Sequence, residues 1–213
     1  MTQRNIFPRN RVGGIVLCGG RSSRMGKSKA LLPFGTETLL QRVVRILKQV
    51  VEPVVVVAAP AQHLPDLPAD VLLARDRHEG LGPLSGLVGG LEVLAGKADA
   101  AFVSSCDVPF LQPAFIRLVV SHLAQASVVV PEVEERLHPL AAAYGLECLP
   151  TAQHLLAQGR LRPIFLCEAL PTRRLSAQEI AEVDPHFLSL RNLNTPDEYE
   201  AALREAQQMD LHS

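Results

Sequence analysis

A short stretch near the start of the chain combines paired glycines with a cluster of cations. Residues 17–32 read LCGGRSSRMGKSKALL and follow a short apolar run. Glycines allow a tight turn whose backbone N–H groups approach a ligand closely, and nearby cations can surround phosphate oxygens. The stretch therefore predicts a triphosphate site. The residues expected there are Gly19, Gly20, Arg21, Arg24, Lys27 and Lys29.

The glycine spacing differs from that of two familiar phosphate-binding loops. It fits neither the GxxxxGK[ST] pattern nor the GxGxxG pattern, which excludes a P-loop NTPase and a Rossmann dinucleotide site. The first 36 residues contain seven Lys or Arg and no acidic residue, which suits a segment beside an anion. The remaining alternative is a glycine turn whose basic side chains are solvated.

Asp107 is the candidate ligand for a metal ion. It follows the apolar run Ala100–Ser105, which predicts a strand, so its carboxylate is expected at a strand exit. Mg2+ binds carboxylate and phosphate oxygens and often needs only one or two protein carboxylates. The alternative is an ordinary turn aspartate before Val108-Pro109.

Four other polar residues are candidates for binding substrates. Asp76 precedes the glycine-rich segment Gly80–Gly86 and could fix a nucleoside, or it could be a solvated loop residue. His138 could contact an acceptor or could be a structural histidine. Asn192 and Asn194 offer donors and acceptors near a predicted strand end, so they could bind an acceptor or cap the last helix.

The hydrophobic pattern supplies alternating strands and helices that could position these candidates. Short runs rich in Val and Ile predict strands buried on both faces, and apolar spacing of three to four residues predicts helices. Such alternation is typical of a mostly parallel sheet covered by helices, with ligands beyond the carboxyl ends of the strands. The predicted strands are Gly14–Cys18, Pro53–Ala58, Ala100–Ser105 and Ser127–Pro131, and the helices between them are Leu39–Val50, Leu84–Leu94 and Pro113–Ala124.

Past residue 132 the alternation weakens. A final helix is predicted at Asp197–Gln208, capped by Thr195 with Pro196 at its first position. No repeat or linker-like stretch divides the chain, so one domain is expected over residues 13–210, after an N-terminal tail of residues 1–12. The other predicted elements are strands at Leu137–Tyr144 and Phe187–Arg191 and short helices at Glu147–Gln158 and Pro163–Ala169.

The composition of the 213 residues is that of a globular protein, with 47% hydrophobic and 20% charged residues. A formal net charge of -1 gives no general attraction to nucleic acid or to an anionic membrane. The four cysteines form no CxxC pair, and Cys18 and Cys106 are expected in the core. The polar N-terminal segment and the lack of a run of about 20 apolar residues favour a cytoplasmic protein without membrane contact.

The glycine-rich stretch resembles the signature loop of nucleotidyltransferases with a GT-A-like fold, LxGGxSxRMGxxKxLL. Further similarities follow at comparable intervals, including Asp76, CDVP at residues 106–109 and His138-Pro139. The segments GPLSG at residues 82–86 and NLNTP at residues 192–196 are similar to the molybdenum cofactor guanylyltransferases. Two positions depart from the pattern: Ser28 stands where members commonly carry Asp, and Ala58-Ala59 where they often carry Asn.

This resemblance implies a fold, a reaction and a set of site residues. The fold is a three-layer α/β/α, Rossmann-like arrangement of the nucleotide-diphospho-sugar transferase type with a mostly parallel sheet. The reaction is transfer of GMP from GTP to the phosphate of molybdenum-molybdopterin, with Mg2+ held by Asp107 and with Arg24, Lys29 and Asp107 as catalytic residues. The implied nucleotide-binding residues are Leu17, Cys18, Gly19, Gly20, Lys29, Asp76, Gly82 and Asp107, and the implied acceptor-binding residues are His138, Asn192 and Asn194.

Three alternatives remain open at this point. The signature loop would also suit a CTP-dependent molybdopterin cytidylyltransferase or a sugar-phosphate nucleotidyltransferase. A protein of a different class, a nucleotide-binding regulator without turnover, is the third. The expected partners are GTP and a molybdopterin-type acceptor, and any contact with proteins that deliver or receive the cofactor is expected to be transient.

Overall fold

The structure is a computed structural model that describes residues 11–19, 28–76 and 82–210. In chain order the strands are β1 (Val12–Leu17), β2 (Pro33–Phe34), β3 (Glu37–Thr38), β4 (Val54–Ala58), β5 (Leu72–Arg75), β6 (Ala100–Ser105), β7 (Val128–Val133), β8 (Arg136–Leu137), β9 (Ala141–Gly145) and β10 (Thr172–Ser176). The α-helices are α1 (Leu39–Leu47), α2 (Gly82–Leu94), α3 (Pro113–Ser121), α4 (Leu149–Ala157), α5 (Ile164–Ala169), α6 (Ala177–Ala181) and α7 (Pro196–Asp210).

Eight of these strands form one mixed sheet in the order β10-β7-β9-β6-β1-β4-β5, with β8 paired to β7. Strand β1 pairs in parallel with β4 and β6, whereas β9 runs antiparallel to β6 and β7. Leu17 of β1 lies opposite Val57 of β4 and Ser105 of β6. The carboxyl ends of three central strands therefore lie side by side, where ligand sites of open α/β sheets form.

Helices cover both faces of the sheet, and each face has its own apolar layer. On one face, Leu40 of α1 and Phe115 of α3 are fully buried. On the other face, Leu87 of α2 is fully buried. Neighbouring residues of β1 point to opposite layers, Val16 to the first and Ile15 to the second. This arrangement confirms the predicted three-layer α/β/α fold.

A glycine lets helix α2 lie close to strand β1. A side chain at Gly90 would place its Cβ atom 2.7 Å from Ile15 Cγ2, which is closer than real contacts allow. A side chain at the neighbouring Gly89 would meet no atom within 4 Å. The close approach therefore depends on Gly90 and not on Gly89.

The predicted central elements are confirmed. The four predicted strands correspond to β1, β4, β6 and β7, and the three helices between them correspond to α1, α2 and α3. The short helices α4 and α5 and the final helix α7 are also present. Element ends differ from the prediction by a few residues. Within the described residues, no helix is long and apolar enough to cross a membrane.

The strand predicted at Phe187–Arg191 is wrong, because the chain forms a 3-10 helix over Leu188–Leu190. Phe187 has a φ of 52°, in the left-handed region, so it cannot continue an extended strand. The buried carboxylate of Asp184 accepts hydrogen bonds from the N–H groups of Leu188 and Ser189, at 3.0 and 2.8 Å. This contact between residues four and five positions apart turns the chain where its side-chain pattern suggested a strand.

The strand predicted at Leu137–Tyr144 is divided in two. The Ala141 N–H donates to the His138 carbonyl at 3.0 Å and closes a turn between β8 and β9. Before it, Glu134 and Glu135 both have positive φ and turn β7 back into β8. Strand β10 and helix α6 were not predicted, because only Leu175 among the five residues of β10 is buried and no apolar run marks the strand.

Candidate functional site

Four of the polar side chains singled out in the sequence meet where β1 and β6 end. Lys29 Nζ lies 2.6 Å from Asp107 Oδ2 and 3.1 Å from Asn194 Oδ1. Asn192 Nδ2 donates to Asp107 Oδ1 at 2.8 Å. We call these four residues the Asp107 cluster. The fold brings them together although Lys29 and Asn194 are 165 positions apart.

Asp107 is the centre of this cluster, since both of its carboxylate oxygens accept a hydrogen bond. The side chains of Lys29 and Asp107 are only 17% and 11% exposed. Water therefore screens their attraction less than that of a surface ion pair. The arrangement holds a carboxylate against a cation at the end of the sheet where a ligand is expected.

The loop that carries both asparagines is fastened to the end of β6. The Leu193 N–H donates to the Asp107 carbonyl at 3.0 Å. Asn192 Nδ2 reaches Ser105 Oγ at 2.9 Å in addition to Asp107. A side-chain amide has two N–H donors, so Asn192 uses both of them on the residues around the strand exit. These bonds hold the Asp107 carboxylate in one orientation.

Helix α7 begins directly after the asparagines, and Thr195 caps it as predicted. The Glu198 N–H donates to Thr195 Oγ1 at 3.2 Å. The Glu198 carboxylate accepts from the N–H groups of Asn194 and Thr195, at 2.6 and 3.0 Å, and these bonds lower the pKa of Glu198. The cap is therefore Thr195. The side chains of the two asparagines bond to Asp107 and Lys29 instead.

The backbone at the end of β1 is held by its neighbours. The Leu17 carbonyl accepts from the Cys106 N–H at 3.1 Å, and the Cys18 N–H donates to the Val57 carbonyl at 2.8 Å. The Cys18 carbonyl accepts from Gln62 Nε2 at 3.1 Å. Burial, with a smaller effect of the Cys106 thiol, raises the pKa of Cys18 well above its usual value. Cys18 is therefore a protonated core thiol, as predicted.

The glycines that follow are only partly described. Among the described residues, a side chain at Gly19 would come no closer than 3.9 Å to another atom, the Ala59 nitrogen. Gly20 and Arg24 belong to residues 20–27, which lie outside the described part of the chain. Their contacts with phosphates stay a prediction.

Asp76 lies at the exit of β5, beside the first turn of α2. Ser85 Oγ donates to Asp76 Oδ1 at 2.7 Å, and no donor within the described residues bonds the second oxygen. Gly82 has a φ of 71°, and a side chain there would meet the Leu161 carbonyl at 3.0 Å, so the helix start requires glycine. Neighbouring strands lie about 4.8 Å apart, and β5 lies three positions from β6 in the sheet. Asp76, which follows β5, is therefore roughly 14 Å from Asp107, which follows β6.

A cavity of about 620 Å³ adjoins the Asp107 cluster on the β7–β9 side of the sheet. His138 and Asn192 both line it, as do Arg136 and Arg162. Burial lowers the pKa of His138, and the charge of Arg136 lowers it further, so the imidazole is neutral near pH 7. Two of the three predicted acceptor residues thus share one cavity, and Asn194 bonds to Lys29 instead.

Some residues of the site escaped the sequence analysis. Gln62, Ser85 and Ser105 each hold a predicted residue through a side-chain hydrogen bond. Ser85 belongs to the GPLSG segment, which was a usable signal. Gln62 and Ser105 carry no such signal, because a bonded polar side chain and a solvated one look alike in a single sequence.

The chain matches known proteins along most of its length. Residues 14–173 match the model of the MobA-like NTP transferase domain. The molybdenum cofactor guanylyltransferase of Desulfosudis oleivorans is 35% identical over 194 residues, covering 90% of this chain and 94% of that protein. A probable molybdenum cofactor guanylyltransferase of Mycobacterium avium is 40% identical over 190 residues, covering 86% and 91%.

A solved structure shows the same fold. The molybdopterin-guanine dinucleotide biosynthesis protein A of Archaeoglobus fulgidus superposes with a TM-score of 0.77 at 19% identity, covering 92% of this chain and 99% of that one. At this identity the likeness concerns the fold alone. The family model and the two relatives carry the assignment further, since each covers well over half of the chain. The chain therefore belongs to the family of MobA-like NTP transferases and has molybdenum cofactor guanylyltransferases among its relatives.

Proposed function

We propose that the protein transfers GMP from GTP to the phosphate of molybdenum-molybdopterin, giving the guanine dinucleotide form of the cofactor and pyrophosphate. The family and the names of the relatives support this reaction. The observation that carries it is the Asp107 cluster, which lies between the Asp76 end of the site and a cavity of about 620 Å³. Such a volume is typical of small-molecule sites.

In this reaction an oxygen of the acceptor phosphate attacks the α-phosphorus of GTP. The new P–O bond forms as the bond from the α-phosphorus to the bridging oxygen of pyrophosphate breaks, so no covalent enzyme intermediate is needed. Both reactants are anions, and negative charge gathers where they meet. Cations and in-line positioning therefore supply most of the catalysis.

Lys29 is the described cation best placed for this task. A lysine ammonium has three N–H donors. Within the described residues, two of them bond to Asp107 and Asn194. The third remains for a phosphate oxygen, so Lys29 can bind the substrate without leaving its anchors. Arg24 is proposed as a second phosphate cation.

Mg2+ is proposed to bind the Asp107 carboxylate as well. Within the described residues no three His, Cys, Asp or Glu side chains form a group that could hold a metal, so the protein offers chiefly the Asp107 carboxylate. One carboxylate suits Mg2+, which takes phosphate oxygens and water as its other ligands. The carboxylate already faces a cation, the Lys29 ammonium at 2.6 Å. When bound, Mg2+ would neutralise phosphate charge, while Asn192 would keep Asp107 oriented.

The acceptor is proposed to occupy the cavity. Glu132 and Glu168 of its lining are paired with Arg174 and Arg160. Arg136 and Arg162 also line it, and neither belongs to the ion pairs formed within the described residues. Their guanidinium groups are therefore available to an anionic acceptor. The neutral His138 adds a hydrogen-bonding group that carries no charge near pH 7. Asn192 belongs both to this cavity and to the Asp107 cluster, so an acceptor bound in the cavity would lie next to the reacting phosphate.

The base is proposed to bind near Asp76 and the start of α2. Guanine offers donors at its N1 and 2-amino groups, which suit the second carboxylate oxygen of Asp76, to which no donor of the described residues bonds. A backbone N–H aimed at the guanine 6-carbonyl would face the 6-amino group of adenine, and such a mismatch costs several kcal/mol when it is buried. The site should therefore prefer GTP to ATP.

The deciding experiment compares nucleotides. The protein is supplied with Mg2+, molybdenum-molybdopterin and GTP, CTP, ATP or UTP in turn, and pyrophosphate and dinucleotide are measured. We expect GTP to exceed the others by at least ~100-fold in kcat/KM. CTP turnover equal to that of GTP would indicate a cytidylyltransferase. Transfer to a sugar phosphate alone would indicate a sugar-nucleotide enzyme, and GTP binding without pyrophosphate release would indicate a regulator.

A further inference from the structure

The turn after β4 carries a glutamine that the proposed reaction does not use. The Ala59 N–H donates to Gln62 Oε1, and the Gln62 N–H donates to the Ala59 carbonyl, both at 3.1 Å. Arg75 Nη1 donates to the carbonyl oxygens of the same two residues, at 3.0 and 2.8 Å. The turn is thereby held both from within and from the end of β5.

The side-chain amide of Gln62 also bonds to two other segments. Its Nε2 donates to the Cys18 carbonyl at 3.1 Å and to Ser28 Oγ at 3.0 Å. A glutamine amide has two N–H donors and one carbonyl oxygen, and all are used here. Reversing the amide would set donor against donor at Ala59 and acceptor against acceptor at Cys18. Both N–H groups are used on described residues, so the amide group acts on the site through these neighbours.

Both neighbours belong to the site. Cys18 directly follows β1, and Ser28 directly precedes Lys29. Ser28 occupies the cap position of the 3-10 helix Lys29–Leu31, but its hydroxyl makes no cap bond there and is free to accept from Gln62. One amide therefore sets the position of Lys29 relative to the end of β1.

We infer that Gln62 is a positioning residue for nucleotidyl transfer, holding Lys29 in place through the Cys18 carbonyl and the Ser28 hydroxyl. This inference rests on the proposed function. A lysine displaced by about 1 Å still neutralises bound phosphates but stabilises the transition state poorly. Loss of Gln62 should therefore lower kcat more than it raises KM for GTP.

The test introduces Gln62→Ala into the unsubstituted protein and into Lys29→Ala. We expect Gln62→Ala to lower kcat at least ~10-fold alone, with less than a ~3-fold change in KM for GTP, and to lower kcat less than ~3-fold when Lys29 is already absent. An equal loss in both backgrounds would overturn the inference, since a merely structural role does not depend on Lys29.

A matched control is Gln153→Ala. Gln153 Nε2 donates to Glu92 Oε1 at 2.9 Å on the surface of α4, and it is outside the proposed site. The substitution removes a glutamine with a side-chain hydrogen bond, as Gln62→Ala does, and it should leave kcat unchanged. A fall in kcat equal to that of Gln62→Ala would contradict a specific role for Gln62.

Two further measurements keep the inference separate from the proposed function. A crystal structure of Gln62→Ala should show Lys29 Nζ displaced from its place 2.6 Å from Asp107, and an unmoved lysine would overturn the inference whichever nucleotide is used.

If Gln62→Ala does not fold, Ser28→Ala removes one bond and leaves the turn intact. Ser28→Ala should lower kcat by a smaller factor than Gln62→Ala, and this loss should disappear when Lys29 is replaced by alanine. An equal loss in the presence and in the absence of Lys29 would overturn the inference. Failure of the proposed function would appear instead as no GTP transfer by the unsubstituted protein.

Discussion

Asp107 has a different donor on each carboxylate oxygen, Lys29 on one and Asn192 on the other. An asparagine in its place would keep the shape and could still pair through its oxygen, but it would lose the charge. Charge, and not shape, is what the proposed Mg2+ site and the lysine require of this residue. A single substitution can therefore separate the catalytic role of this residue from its structural role.

Asp107→Asn should lower kcat at least ~100-fold at limiting Mg2+, in the range expected for one electrostatic contact to the transition state. Because the isosteric amide keeps most of the packing, Tm should change by only a few degrees, about what ~1 kcal/mol produces in a chain of this size. The measurement is steady-state transfer over a Mg2+ titration, with thermal unfolding alongside.

The matched control is Asp99→Asn at the opposite end of β6. Asp99 forms an exposed ion pair with Arg11 at 3.0 Å, and such pairs contribute little. It should leave kcat and its Mg2+ dependence unchanged. Full activity of Asp107→Asn at limiting Mg2+ would place the metal elsewhere.

The sequence predicts Lys29 and Asp107 as site residues, because Lys29 belongs to the cation-rich glycine stretch and Asp107 follows a recognisable apolar strand, and the structure brings the two together. The sequence was not sufficient to predict that Asn192 holds Asp107. The two residues are 85 positions apart, and no local pattern records such a contact. The same reason explains why Gln62 was missed.

Among the elements, predictability follows burial. Strands β1, β4 and β6 are buried on both faces, so their residues form nearly continuous apolar runs. Strand β10 lies at the edge of the sheet, where one buried residue leaves no such run. At Phe187–Arg191 the alternation of apolar and polar residues resembles a strand, but the contact with Asp184 determines the backbone. Side-chain hydrogen bonds to the backbone of this kind override the apolar pattern of a short segment.

The packing of α2 on β1 can be tested with two neighbouring glycines. Gly90→Ala should lower the free energy of unfolding by about 1–3 kcal/mol, because its methyl group would overlap Ile15. Gly89→Ala should raise it by up to about 1 kcal/mol, because this helical position is open and alanine favours the helix. Urea denaturation of both variants measures the difference. Equal stabilities would show that α2 lies farther from β1.

Over the whole molecule, the sides of the sheet proposed for the nucleotide and for the acceptor meet at β6. Strands β1, β4 and β5 carry Cys18, Gln62 and Asp76 at or just beyond their ends, on the side proposed for the nucleotide. Strands β7, β8 and β9 border the cavity proposed for the acceptor. Asp107 follows β6, between the two sides, so one continuous scaffold sets the distance between the two reactants.

The prediction of one domain over residues 13–210 leads to an expectation for unfolding. Ile15 and Val16 are neighbours in β1 but belong to different apolar layers, so neither layer can lose the strand alone. Scanning calorimetry should show one transition, with calorimetric and van't Hoff enthalpies that agree. GTP at ~100 times its Kd should stabilise the folded state by about 2.7 kcal/mol and move the whole transition upward. Two separate transitions, or a shift of only part of one, would contradict a single domain.

The 85 positions between Asp107 and Asn192 also correspond to an interval during translation. At about 5–20 residues per second, a ribosome needs roughly 4–17 s to proceed from one to the other. Throughout this interval the nascent chain already contains its lysine and its carboxylate, but the amides that complete their hydrogen bonds have not been synthesised. The site therefore cannot be completed before residue 194 has been synthesised, and nascent chains that stop before residue 192 are expected to release no pyrophosphate from GTP.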